Sequence, residues 1–249
     1  GAEKGLEFYL KPDFSKLSGG SLGAALGQAF FSLSLGMGCM ITYGSYVDRK
    51  TVLPSSAIQV CTIDTMVALL AGMVIFPAVF AFGVDAGAGP GLTFVTLPGV
   101  FSKMPGGMIW SALFFILLFI AAITSSISLL EVVCAYFIDK GWSRPKAAWI
   151  MGIIIFAIGV PSAISLTGNL KVAGKDFLDA MDFISSNVLL PLGGVFISLF
   201  VGWFWTDDAR KEVSNNGEYS FGLMEPWMWV CKVLAPVAIL YIFITGLKW

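Results

Sequence analysis

Six apolar runs, at about residues 24–46, 57–84, 108–138, 147–167, 177–205 and 226–247, leave this chain few ways to fold. Each is long enough to cross a hydrocarbon core of roughly 30 Å as a helix. In lipid every backbone N–H and C=O must be paired by protein, and a helix does this within one segment. The expected class is an all-α integral membrane protein with about six transmembrane helices. The second and third runs exceed what a perpendicular helix needs, so tilt or extension past the bilayer is expected. Composition agrees, with 57% hydrophobic and 12% charged residues, where an ordinary soluble domain has about a quarter charged.

The first run differs from the others. Ser32-Leu33-Ser34-Leu35-Gly36-Met37-Gly38 places two hydroxyls and two glycines where a spanning helix should be featureless. A backbone broken at that depth is tolerable only against protein or a polar cavity. Two readings are open. The glycines can let another helix approach closely, or the segment can unwind and turn its carbonyls and hydroxyls toward a ligand. Gln28, one turn before Ser32, adds a polar group at depth and favours the second.

Polar groups recur in other runs. Ala121, Thr124 and Ser125 fall within one turn of the third, so a carbonyl and two hydroxyls can converge as part of a shell for a small monovalent cation. The alternative is hydroxyls bonded back to their own helix. Asp64 sits about a turn into the second run, where a carboxylate marks an ion or substrate path or else reaches interfacial water. Asp179 and Asp182 share a face at the start of the fifth run, and Asp139 ends the third; all three lie near water. Histidine is absent, which leaves the serines no activating base and argues against hydrolysis. Cys39, Cys61, Cys134 and Cys231 have no metal-ligand spacing and read as small packed side chains. A net charge of −1 gives no sign of nucleic-acid binding.

The loops after runs one, three and five hold Arg49, Lys50, Lys140, Arg144, Lys146, Arg210 and Lys211, which include all three arginines. By the positive-inside rule these loops are expected in the cytoplasm. Lys4, Lys11 and Lys16 before the first run even the balance with Lys103, Lys171, Lys175 and Lys248 on the other side. The segment 85–107 turns at Gly87, Gly89, Pro90 and Gly91 and then becomes apolar, which suits an ordered, partly helical outer lid with Pro98 at a bend. Residues 1–23 are expected to be an outer loop. The start, Gly1-Ala2-Glu3-Lys4-Gly5, reads like the middle of a larger protein.

Taken together, these motifs resemble the neurotransmitter:sodium symporters, whose bacterial, leucine-transporter-like members are sodium-coupled amino-acid transporters. Gln28 through Gly38 looks like that family's unwound sixth helix, and Thr42-Tyr43-Gly44-Ser45-Tyr46 like its inner end. Asp64-Thr65 through Gly72 is similar to the seventh helix, and Thr124-Ser125-Ser126 to the sodium motif of the eighth. The likeness covers the whole chain as the sixth to eleventh spans. It implies an inverted-repeat transporter fold in a plasma (inner) membrane, working by alternating access with two sodium ions and no organic cofactor.

By the same resemblance, Ser32 and Asp64 help hold one sodium, and Ala121, Thr124 and Ser125 the second. Phe31 closes over the substrate, beside Ser32, while Ser34, Met37, Ser125 and Leu129 shape its side-chain pocket. Asp182, with Asp179 on the same face, resembles the outer-gate carboxylate. Asp139 resembles the inner one, supported by Tyr46. The gating arginines, and the opposite wall of each site, would come from a missing N-terminal half.

Two departures refine the expectation. Animal members bind chloride with asparagine and serine where Asp64 and Ala68 stand, together with equivalents of Gln28 and Ser32. A fixed carboxylate at Asp64 implies transport without chloride. Met37 replaces a common phenylalanine, and its adaptable side chain implies a large hydrophobic or aromatic amino acid. The rivals are a proton-coupled carrier of the same fold and a non-transporting scaffold or binding subunit.

Overall fold

The computed structural model describes residues 1–83, 92–165, 170–172 and 174–246. Their helices are α1 (Ala2–Leu10), α2 (Gly19–Ser32), α3 (Cys39–Gly44), α4 (Leu53–Ala81), α5 (Leu97–Lys103), α6 (Gly107–Asp139) and α7 (Arg144–Ser165). After them come α8 (Phe177–Phe204), α9 (Thr206–Val213), α10 (Met224–Trp229) and α11 (Ala235–Gly246). Among the described residues four helices, α4, α6, α7 and α8, are long and apolar enough to cross a membrane. A π-helical turn, Val230–Leu234, joins α10 to α11. The one addition to an all-α reading is a short ribbon, β1 (Lys171–Val172) against β2 (Lys175–Asp176), antiparallel with Lys171 opposite Asp176.

The residues group into two compact units, one of 1–17 with 61–126 and one of 18–60 with 127–249. In the first, α1 lies along α4: Phe8 packs 5.3 Å from the rings of Phe76 and Phe80, and the Tyr9 hydroxyl donates to the Ala68 carbonyl at 3.3 Å. A small core of Val79, Leu97 and Val100, flanked by Phe101 and Phe114, fixes α5. Lys103 donates to the Phe82 carbonyl at 3.0 Å, placing a cation at the carbonyl end of α4. Pro98 stands in the first turn of α5, directly after a π turn at Leu92–Thr96, rather than at a bend. Of the lid segment, 84–91 lie outside the described residues and 92–103 are helical.

In the second unit, buried Ser165 closes α7 and starts α8. Its hydroxyl donates to the Ser162 carbonyl at 2.7 Å and accepts the Leu178 N–H at 3.1 Å. Helix α8 widens into π turns at Ile184–Leu189 and Phe200–Phe204. A proline follows the first of these two turns but not the second. Pro98, Pro191 and Pro236 each stand two residues past a π turn. A proline ring collides with the carbonyl four residues back and cannot bond to it, and a wider turn relieves both problems. The Lys232 carbonyl, four residues before Pro236, is taken instead by the Trp203 indole N–H at 3.2 Å, and the adjacent Cys231 carbonyl by the Ser198 hydroxyl at 2.8 Å.

The cysteines are less uniform than small packed groups. Cys39 and Cys134 are buried, but Cys61 is exposed on α4, because its position falls on a face that no described residue covers.

Candidate functional site

The first run is broken where its serines and glycines stand. Helix α2 ends at Ser32, with the Ser34 N–H bonded to the Phe31 carbonyl at 3.1 Å and the Leu35 N–H to Phe30 at 2.8 Å. This crossed pair is the Schellman ending, which normally puts glycine in the left-handed position. Here Ser34 holds it, with φ of 55°, a conformation uncommon for a residue with a side chain. Gly36 at φ 77° and Gly38 at 84° continue the turn, and the ladder restarts when the Thr42 N–H meets the Gly38 carbonyl at 3.0 Å.

The glycines serve both the unwinding and a close approach. A Cβ on Gly36 would lie 2.3 Å from the Leu190 carbonyl oxygen, and one on Gly193 would lie 2.2 Å from the Gly36 carbonyl. The unwound stretch therefore rests backbone to backbone on α8, and the same glycine makes the turn and the close approach. The C-terminal end of α2, where the helix dipole is negative, is left facing the break.

The remaining candidates are placed as follows. Gln28, Phe31 and Ser32 lie on the last two turns of α2, with Ser34 and Met37 in the break. Leu129, on α6, belongs to the same unit. Asp64 and Ala68 lie one turn apart on α4 in the other unit, with the Ala68 carbonyl engaged by Tyr9. On α6 the Thr124 hydroxyl donates to the Ala121 carbonyl at 2.8 Å, so two proposed ligand oxygens are already side by side; Ser125 follows on the same helix. Ser126 bonds back to Ala122 in the same way at 2.8 Å. This is the back-bonded geometry that stood as the alternative. Asp179 and Asp182 are exposed on the first turns of α8, where Asp182 accepts the Ser186 hydroxyl at 3.0 Å. Asp139 is the last residue of α6.

Tyr46 has partners that the sequence reading missed. Its hydroxyl donates to Glu131 Oε1 at 2.6 Å, and Arg144 at the start of α7 reaches both Glu131 oxygens at 2.9 and 3.0 Å. One turn earlier the Tyr43 hydroxyl donates to Ser128 at 2.6 Å. Tyr43 and Tyr46 are three residues apart, as are Ser128 and Glu131, so the pairs form two rungs joining α3 and the turn after it to one face of α6. The signal was present: Glu131 interrupts Leu129-Leu130 and Val132-Val133 just as Asp64 interrupts its own run.

Outside the apolar runs, Arg210 of α9 grips Glu225 of α10 with both guanidinium nitrogens, one at 2.9 Å. That contact holds the Glu225 carboxyl below its ordinary value, first through the hydrogen bond and also through the Arg210 and Lys232 charges.

Comparison with known proteins gives a consistent result. The sequence pattern of the Sodium:neurotransmitter symporter family matches residues 1–249. An uncharacterized sodium-dependent transporter of Bacillus subtilis, YhdH, is 37% identical over 98% of this chain and 55% of its own length. One from Haemophilus influenzae is 39% identical over 99% of this chain and 54% of its own. The crystal structure of MhsT in complex with L-phenylalanine superposes with a TM-score of 0.87 at 44% identity, covering 98% of this chain and 56% of that one. The chain thus spans about half the length of the relatives it matches, and over that half it has their transporter fold.

Proposed function

Because this chain belongs to the sodium:neurotransmitter symporter family, we propose that it forms the second half of a sodium-coupled amino-acid symporter. The observation that carries this reading is the helix broken at Ser32–Gly38, which leaves the negative end of α2 at the break. Ser32 and Asp64 serve one sodium ion. Ala121, Thr124 and Ser125 serve a second, and the paired oxygens at 2.8 Å support that role. Phe31 covers the substrate, and Ser34, Met37, Ser125 and Leu129 set its size. Asp182 with Asp179 gates the outer side, and Asp139 and Tyr46 the inner. The loops after the first, third and fifth spans face the cytoplasm.

The substrate is a large hydrophobic or aromatic amino acid. Met37 supports this, as does the binding of L-phenylalanine by the 44% identical MhsT. Asp64 supplies the negative charge that chloride provides elsewhere, so transport proceeds without that ion. No bond is made or broken. Each charge carried inward gains about 2.3 kcal/mol per 100 mV of membrane potential, which drives accumulation.

The test is uptake of labelled phenylalanine, tryptophan, leucine and alanine into proteoliposomes of the protein that carries these residues. Uptake is expected in sodium, absent in choline and unchanged in gluconate, with Thr124→Val raising the sodium concentration needed. Uptake that persists in choline under an inward proton gradient would give the coupling to protons instead. A preference for alanine over phenylalanine would overturn the size argument from Met37, and loss of uptake in gluconate the role given to Asp64.

A further inference from the structure

Tyr46 does not sit on a long helix. It stands in the turn after α3, where its N–H donates to the Tyr43 carbonyl at 3.0 Å and the Val47 N–H to the Gly44 carbonyl at 3.4 Å. Where the Tyr46 side chain points is therefore set by how α3 is oriented. That helix has six residues, too few to be stable alone. The left-handed residues at 34, 36 and 38 part it from α2, so its orientation has to come from side chains that meet it.

One residue of α6 meets it twice. The Tyr43 hydroxyl donates to Ser128 Oγ at 2.6 Å, and the Cys39 thiol, a weak donor, lies 3.9 Å from the Ser128 carbonyl. Cys39 and Tyr43 are four residues apart and share one face of α3. Val132, one turn along α6, brings its side chain to the start of that face, 3.0 Å from where a Cβ on Gly38 would stand. Cys39 is buried, at 1% exposed. The contacts at Cys39 and Gly38 locate the start of α3, and the Tyr43 hydroxyl fixes its rotation. Glu131 is different in kind. It takes the Tyr46 hydroxyl and the Arg144 guanidinium, so it can receive Tyr46 only when α3 already presents it.

Resting on the reading of Tyr46 as part of the inner gate, we propose that Tyr43 and Ser128 are positioning residues of that gate. Their hydrogen bond seats α3 on α6, and the seated helix presents Tyr46 to Glu131. Neither residue is among those proposed to hold sodium or substrate. Losing the bond lets α3 part from α6, which uncovers Cys39 and opens the inner side more readily.

The experiment uses the protein that carries these residues, in proteoliposomes, with every cysteine except Cys39 replaced by alanine. Both variants are mild: Tyr43→Phe keeps the ring, and Ser128→Ala removes one hydroxyl from a helix. Alkylation of Cys39 by N-ethylmaleimide is expected to be about fivefold faster in Tyr43→Phe, the factor that one neutral hydrogen bond is worth. Ser128→Ala should match it, and the two together should be no faster than either, because they remove one bond. The KM for sodium-driven uptake of phenylalanine should rise by a similar factor with kcat little changed, since a gate that opens more readily holds substrate less well. Alkylation in Tyr43→Phe as slow as in the unaltered protein overturns the proposal. An equal acceleration at Cys231, kept as the one cysteine in a second series, would mean general loosening and also overturns it. So does an unchanged KM beside faster alkylation, which would confine the bond to stability. Phenylalanine uptake that ignores sodium would remove the sodium-coupled reading instead, and the alkylation rates would still decide whether Tyr43 seats α3.

Discussion

Replacing Gly36 by alanine tests whether the break works as described. Two costs follow from its geometry. A residue with a Cβ at φ 77° loses about 1–2 kcal/mol to the left-handed conformation. The new methyl would also stand 2.3 Å from the Leu190 carbonyl oxygen, where ordinary contact begins at 3.4 Å. Backbone cannot rotate aside as a side chain can, so the break and α8 must part by about 1 Å, an overpacking cost of about 1–3 kcal/mol. The sum is about 2–5 kcal/mol.

Gly38→Ala, also left-handed at φ 84°, meets only the tip of Val132 at 3.0 Å, so the conformational cost of about 1–2 kcal/mol alone remains. Gly44→Ala, with nothing within 4 Å, should be neutral or gain up to about 1 kcal/mol of helix propensity. Thermal unfolding of the purified protein, followed by fluorescence-detected size exclusion, should rank the three variants in that order, with sodium-driven uptake falling most in Gly36→Ala. The reasoning is refuted if Gly36→Ala melts with Gly44→Ala. If Gly38→Ala proves the worse of the two left-handed sites, the contact with α8 is not what matters.

Two further outcomes follow from the polar contacts. Glu131→Gln keeps an acceptor for Tyr46 but loses the ion pair with Arg144, whereas Glu131→Ala leaves both without one; the alanine variant should be the less stable. Tyr46→Phe combined with Glu131→Ala should show a non-additive loss in a double-mutant cycle, and additivity would mean the bond is idle. The Glu225 carboxyl has its value lowered by Arg210, so its contribution is fully present above the ordinary carboxylate range and is lost as pH falls through the lowered value. The α9–α10 segment should therefore resist proteolysis unchanged from pH 8 to 6. Glu225→Gln at neutral pH should mimic acid by exposing it.

Much of this was legible in the sequence because the bilayer simplifies the problem. A spanning segment has to be apolar and helical, so Ser32–Gly38 and Asp64 stood out as exceptions that needed a reason. The glycines were read correctly as a break. It was less evident that Ser34 would hold the left-handed position ending α2, since glycine is the usual choice there and two glycines stood nearby. The π turns escaped notice, and proline alone would not have placed them: Pro98, Pro191 and Pro236 follow such turns, but Pro77 and Pro161 stand inside regular helices. Glu131 was missed for another reason: its partners, Tyr46 and Arg144, are 85 and 13 residues away, and no local pattern joins them.

The two rungs that Tyr43 and Tyr46 make with Ser128 and Glu131 behave as a key in a keyway. Because both sides share the same three-residue spacing, α3 can meet residues 127–139 of α6 in this register with both bonds made, and rotation by one residue, about 100°, takes both hydroxyls away from their acceptors together. The left-handed residues at 34, 36 and 38 meanwhile separate α3 from α2. The first run is thus mechanically two parts, α2 packed on α8 and α11 before the break and α3 geared to α6 after it. A displacement of residues 127–139 of α6 is carried to α3 by both bonds, while α2 is held separately against α8 and α11.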